Sequence, residues 1–216
     1  MNFKFIFLVI LTLVLGSIIP LIYRHQKILN INQSFVSSIS LYQRNLPSDW
    51  LVGTVTDIGS SVQIETRYGT KFEDLTIGTT ISLGEDIKTD FQDNSSVVIN
   101  FPDLAKFNIN SNTRLNFTNT NSDNFLISLN RGGNLDFEAL SNSNQFSITS
   151  LHLLSQFIGA TGNFTIDSDI ITIKLTQGSV KLGYNDSDIK TQIVDVTGPK
   201  KIIFNDTKRT VKLKNL

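Results

Sequence analysis

The sequence predicts an all-β domain standing behind an N-terminal membrane helix. Three observations carry this reading. From Leu51 onward, apolar and polar residues alternate in short runs, such as Val62-Gln63-Ile64-Glu65 and Phe146-Ser147-Ile148-Thr149. Strands with one buried face have this period of two. Turn-forming residues separate the runs at intervals of about 8–12 residues, as in sandwiches, barrels and solenoids. Finally, Phe5–Tyr23 is uncharged and almost wholly apolar. Asn-rich turns between one-faced strands favour an irregular β-solenoid-like domain, in which each coil buries its inward residues on the next. A β-sandwich is the alternative. No repeat of fixed length is visible.

Residues 1–25 read as a transmembrane signal anchor. At about 1.5 Å per residue, a helix over Phe5–Tyr23 crosses most of a hydrocarbon core about 30 Å thick. Pro20 lies near its end, where it costs little. A cleaved signal peptide is the competing reading. Its apolar region is usually about 7–15 residues and ends at small residues, and here Gly16-Ser17 is the only small pair. Lys4 and the N-terminal amine on one side balance Arg24 and Lys27 on the other, so the charges alone do not orient the anchor.

Residues 26–50 read as a helical stalk. Ile28, Ile31, Phe35, Ile39 and Tyr42 recur at spacings of three, four, four and three, which places them on one helix face. The stripe packs on the β domain or, as the alternative, forms a short coiled coil that dimerises the anchor. Leu46-Pro47-Ser48 ends the helix, because Pro disfavours helical geometry in the residue before it.

Residues 51–183 form the main β domain, and 184–216 a C-terminal β extension. Besides the two runs above, Phe107–Asn110, Leu115–Thr118, Leu135–Glu138 and Ile171–Lys174 alternate. Turns are expected at Tyr68-Gly69, Gln92–Asn94, Ser122–Asn124, Arg131–Gly133, Ser141–Ser143, Gln177-Gly178 and Asn185-Asp186. Leu151–Phe157 fits either one helical turn or a strand. In the extension, Lys200–Phe204 and Lys208–Leu213 flank an Asn205-Asp206-Thr207 turn. Lys and Arg decorate both strands, as they often do on sheet edges. This hairpin is the candidate recognition edge, or else a cap on the end of the domain.

Gly78–Thr89 reads Gly-Thr-Thr-Ile-Ser-Leu-Gly-Glu-Asp-Ile-Lys-Thr. It resembles the strand-turn-strand signature G-x-x-L-x-x-G-D-x-I-x-T of the FecR domain, the extracytoplasmic module of FecR-type membrane regulators. Ile81 stands where Leu is usual, and the turn carries one inserted residue. Further resemblances follow in the family's order. They are the apolar strand Val97–Phe101, the Asn112-Thr113 turn inside Leu104–Phe117, and the L-x-x-G-x-x-x-F hairpin at Leu129–Phe137. The strand Phe146–Ser150 and the closing elements at Gly159–Ile166 and Leu175–Leu182 complete the set. The resemblance spans roughly residues 53–183. It implies a β-solenoid-like fold, a strand at Leu151–Phe157 before a turn at Gly159–Gly162, and a domain outside the cytoplasm. With the N-terminus inside, only Met1–Lys4 are cytoplasmic. The expectation is therefore a FecR domain without the cytoplasmic anti-sigma region.

Composition removes several functions. The chain carries 19 basic and 19 acidic residues for a formal net charge of zero, with only 18% charged. Nucleic-acid binding needs phosphate-neutralising Lys and Arg gathered on one face, so it is disfavoured. There is no Cys, hence no disulfide, thiolate nucleophile or zinc-thiolate site. Glu85 and Asp86 are adjacent in a turn and expected to point apart, unlike the opposed pair of a glycosidase. His152 is the only His of the β domain and has no partner set for a triad or a metal. Asp167-Ser168-Asp169 lacks the Gly and distal Glu of a calcium loop. No catalytic, cofactor-binding or metal residue is therefore assigned.

The expected protein is a single-pass, periplasmic or otherwise extracytoplasmic FecR-domain protein. It acts as a signalling or binding module through protein–protein contacts and is not an enzyme. The alternative is a structural envelope scaffold or a cell-wall-polymer-binding protein. Partners are an envelope protein or a cell-wall polymer, with homo-oligomers as a further option.

Overall fold

One continuous β-sheet, curled into a half-barrel, accounts for the computed structural model, which describes residues 50–67, 69–130 and 132–216. The anchor reading and the stalk reading up to residue 49 lie outside the described residues, and Trp50 pairs with Asn121 in an isolated bridge. Among the described residues there is no helix, and so none long and apolar enough to cross a membrane. The strands are β1 (Gly53–Ile58), β2 (Val62–Glu65), β3 (Glu73–Asp74), β4 (Thr80–Ile81), β5 (Asp86–Thr89), β6 (Val97–Phe101), β7 (Ala105–Ile109) and β8 (Arg114–Asn119). They continue with β9 (Leu126–Leu129), β10 (Asn134–Ala139), β11 (Gln145–Ser150), β12 (Leu153–Asp167), β13 (Ile170–Asn185), β14 (Thr191–Thr197), β15 (Lys200–Asn205) and β16 (Thr210–Lys214).

The sheet has two arms joined by the long β12–β13 hairpin. The first arm runs β3-β2-β5-β8-β9-β11 to the N-terminal half of β12. The second runs from the C-terminal half of β12 through β10-β7-β6-β1 to β4. β13 divides in the same way. Its first half pairs with β15, which carries β16, and its second half pairs with β14. The arms face one another across a phenylalanine-rich core. Phe101 of β6 meets Phe117 of β8 at 5.2 Å between ring centroids. Phe107 of β7 meets Phe146 of β11 at 5.2 Å, and Phe137 of β10 meets Phe157 of β12 at 4.5 Å.

The period-two reading of the strands holds, since buried and outward residues alternate along β6, β7, β10 and β11. The coil-stacking expectation does not describe the pairing. The chain does pass repeatedly from arm to arm, as a coil would. Yet every ladder is antiparallel except β9 with β11, whereas stacked coils lie parallel. Leu129–Phe137 is accordingly not a hairpin. β9 pairs with β8 and β11 in the first arm, β10 pairs with β7 and β12 in the second, and Gly132 (φ +81°) helps carry the chain across.

Two expected turns are bulges instead. Gly159–Gly162 and Gln177-Gly178 lie inside β12 and β13, which run on through them. Gly159 has φ +53° and Gly178 φ +79°, a region open to glycine without steric cost. The two face each other closely: a Cβ on Gly178 would sit 2.3 Å from the Gly159 carbonyl oxygen. Each bulge inserts one residue and so switches which side chains face the core. In β12 the buried set changes from Leu153, Ser155 and Phe157 to Ala160, Phe164 and Ile166. In β13 it changes from Ile171, Ile173 and Leu175 to Val180 and Leu182. The hairpin bends here, and both halves keep their apolar sets inside. Leu151 and His152 form a turn before β12, and the rest of Leu151–Phe157 is strand.

Candidate functional site

The outer face of the second arm carries a network of polar side chains centred on Asp136. Register builds it. Asn108 of β7 stands opposite Asp136 of β10, Asp136 opposite Asn163 of β12, and Asn163 opposite Lys174 of β13. A neighbouring row places Lys106 opposite Glu138, and Glu138 opposite Thr161. Asp136 is the hub. Its Oδ1 accepts from Asn163 Nδ2 at 2.7 Å, and its Oδ2 accepts from Asn110 Nδ2 at 2.9 Å and Asn108 Nδ2 at 3.4 Å. Asn163 Nδ2 also donates to Asn134 Oδ1 at 2.8 Å. Around this hub lies an open depression of about 430 Å³, lined also by Lys106, Glu138, Thr161, Gly162, Lys174 and Thr176. Gly162 is required at its floor, because a Cβ there would lie 2.2 Å from the Lys174 carbonyl oxygen.

The residues weighed from the sequence fall elsewhere and do not converge. Glu85 accepts a hydrogen bond from the Ser82 amide at 2.6 Å, while Asp86 accepts one from Arg114 Nη2 at 2.8 Å. The two carboxylates thus serve different partners; the expected turn lies just before them, and Asp86 already opens β5. Burial raises the Glu85 pKa above its ordinary value, and the Ser82 amide offsets part of that rise. The Arg114 guanidinium also lies over Phe72, 5.1 Å from the ring centroid. His152 Nδ1 lies 3.1 Å from Asp206 Oδ1, and the His152 amide donates to the same oxygen at 3.2 Å. This contact ties the turn before β12 to the turn between β15 and β16. Asp167-Ser168-Asp169 links β12 to β13, and Asp169 accepts from Thr207 Oγ1 at 2.8 Å. Among the described residues, no group of three or more His, Cys, Asp or Glu could hold a metal ion.

Both sheet edges at the β13 end are exposed strands. Of the candidate hairpin, β15 is interior: it pairs with β13 and β16, and its Ile202 and Phe204 are fully buried. Only β16 is an edge, and it carries Lys212 and Lys214, the charged residues that guard edges against added strands. The sequence reading missed the second edge, β14. Among the described strands β14 pairs only with β13, and it carries no Lys or Arg. Its Ile193 is 65% exposed. On the outer face Ile193 lies opposite Gly183, which lies opposite Leu154, itself 47% exposed. No atom lies within 4 Å of where a Gly183 side chain would begin, so the two apolar residues border a notch. The β-branched residues Thr191, Ile193, Val194, Val196 and Thr197 were the available signal for this strand.

No family model matches the sequence, and no curated protein matches it. Among solved structures, two crystal structures of a candidate anti-sigma factor from Parabacteroides distasonis are similar. Each has a TM-score of 0.50 at 16% sequence identity, with 60% of this chain aligned. The match spans 59% of that protein's chain. At this identity the likeness is one of fold.

Proposed function

We propose that this chain is a membrane-tethered FecR-type module that works outside the cytoplasm and relays a signal through protein–protein contact, with the partner's strand adding to β14. The fold shared with a candidate anti-sigma factor supports a regulatory role. The observation that carries the recognition surface is the contrast between the edges. Strand addition requires unpaired backbone groups and shallow sites for alternate side chains. β16 is lysine-guarded, whereas β14 is uncharged apart from Asp195 and borders the notch at Gly183. The apolar run Phe5–Tyr23 supplies the tether.

The test is site-specific photocrosslinking from position 195, exposed on the same strand, in intact cells, followed by identification of the captured protein. Ile193→Lys guards β14 in the way β16 is guarded, and because Ile193 is largely exposed the fold should survive. Loss of the crosslinked envelope partner in Ile193→Lys, with retention when Thr210–Leu216 is removed, supports β14. The opposite pattern places recognition on β16. Capture only of a second copy of this chain would make the edge a dimer contact. Protease added to spheroplasts should digest the β domain, and protection there would overturn the outside location.

A further inference from the structure

The Asp136 face lies apart from both edges and serves none of their contacts. We propose that its depression binds a neutral, polyhydroxylated ligand, a glycan chain. β10 and β12 have ladder partners on both sides, so this face offers side chains and not main chain. A peptide gains most at an edge, where backbone groups are open. What the face presents is Asn, Asp, Glu, Lys and Thr side chains together with Gly162 and Phe137. Its charges balance, Lys106 and Lys174 against Asp136 and Glu138, so the local field selects neither a polyanion nor a polycation. A sugar hydroxyl both donates and accepts, and that matches a mixed set of this kind.

Two further features make the set ready. The amide nitrogens of Asn108 and Asn163 are held by Asp136 and by neighbouring Asn oxygens. This fixes the side chains and leaves the carbonyl oxygens of both as acceptors, so little ordering remains to be done when a ligand arrives. Lys106 and Glu138 stand directly opposite each other in the ladder, yet neither they nor Lys174 form a side-chain hydrogen bond or ion pair with any described residue. Two donors and one acceptor thus remain available around the hub. The depression, at about 430 Å³, falls within the size range of ligand sites, about 300–1,000 Å³.

The experiment is an NMR titration of the isotope-labelled full chain in a sugar-free detergent, with maltotetraose and chitotetraose as probes. Either sugar at about 10 mM, tenfold above a weak Kd of about 1 mM, should shift the side-chain amides of Asn108, Asn110 and Asn163 and the backbone of β7, β10 and β12. Asp136→Asn tests the hub. The double variant Lys106→Ala with Glu138→Ala tests the available groups without touching the network. The double variant should weaken binding about tenfold or more and leave the thermal midpoint unchanged. If neither sugar shifts these resonances, if the shifts fall elsewhere, or if the double variant binds as well as the native chain, the glycan site is wrong. An acidic or basic peptide that shifts them where sugars do not would also overturn it.

Discussion

Replacing Phe137 by Asp should unfold the β domain, while removing the neighbouring Asp136 should only weaken it. Phe137 is 2% exposed, and its ring lies 4.5 Å from Phe157 and 5.4 Å from Phe146, at the meeting of the two arms. Truncating a buried Phe to Ala costs about 3–5 kcal/mol. Aspartate adds an uncompensated buried charge, worth several kcal/mol more even after relaxation. Domains are stable by only about 5–15 kcal/mol, so the sum is comparable to the total. Asp136 faces the other way. Asp136→Ala frees the Asn110, Asn163 and Asn108 amides, which sit on an open face where water replaces the lost acceptor. Its cost should be about 1–2 kcal/mol, a drop of a few degrees in thermal midpoint. Thermal melts followed by far-ultraviolet circular dichroism read both. Phe137→Asp should show no cooperative transition, and Asp136→Ala one slightly below the native midpoint. Equal midpoints would mean that inward and outward faces are reversed, and the assignment of the polar site would fall with them.

Gly178→Val should lose stability heavily, because φ +79° and a Cβ 2.3 Å from the Gly159 carbonyl oxygen forbid the side chain; the backbone strain alone is worth about 1–3 kcal/mol. Gly183→Ala, in open space, should stay within about 0.5 kcal/mol, and equal urea midpoints for the two would refute the bulge. Glu85→Gln should stabilise the domain at neutral pH. Burial raises the folded pKa of Glu85, so the folded state holds more protons than the unfolded state between the two pKa values, and native stability falls as pH rises through that window. Glutamine keeps an oxygen for the Ser82 amide and carries no charge. Its advantage should be full above the folded pKa and vanish at about pH 3, below the unfolded value, and an advantage that grows on acidification would reverse the sign. Asp206→Ala should cost more than His152→Ala. Asp206 is 7% exposed and takes the His152 amide, and a hydrogen bond to a charged group contributes about 1.5–3 kcal/mol, whereas the imidazole is mostly solvated.

Strand positions were legible in the sequence because each strand buries one face, so the period of two survives in Val97–Phe101, Leu135–Glu138 and Phe146–Thr149. Strand partners were not. Alternation records which side of a strand is buried but not which strand lies beside it, so a chain passing from arm to arm reads like a stack of coils. The glycines misled for a different reason. Gly signals both turns and bulges, and Gly159 and Gly178 were read as turns. The discriminating signal was present in the spacing of apolar residues. Ile171, Ile173 and Leu175 occupy odd positions and Val180 and Leu182 even ones, with a single glycine carrying the change. A turn would reverse the chain, whereas one extra residue changes parity and lets the strand continue.

The polar face was hidden for the same reason the partners were. Asn108, Asp136 and Asn163 lie far apart along the chain and meet only through the β7-β10-β12 register. In a chain this rich in Asn, each alone reads as turn chemistry. The bend and the face also have one cause. Ahead of Gly159 the odd residues of β12 point into the core, as Leu153, Ser155 and Phe157 show. Without the inserted residue, Thr161 and Asn163 would follow them inside. The bulge turns both outward, bringing Asn163 to Asp136 and Thr161 to Glu138, and in the same step turns Phe164 and Ile166 inward to the core. A substitution that removed the bulge yet kept the strand paired would bury two polar side chains and expose two apolar ones. Core stability and the polar site are therefore coupled through Gly159, although neither contains it as a contact residue.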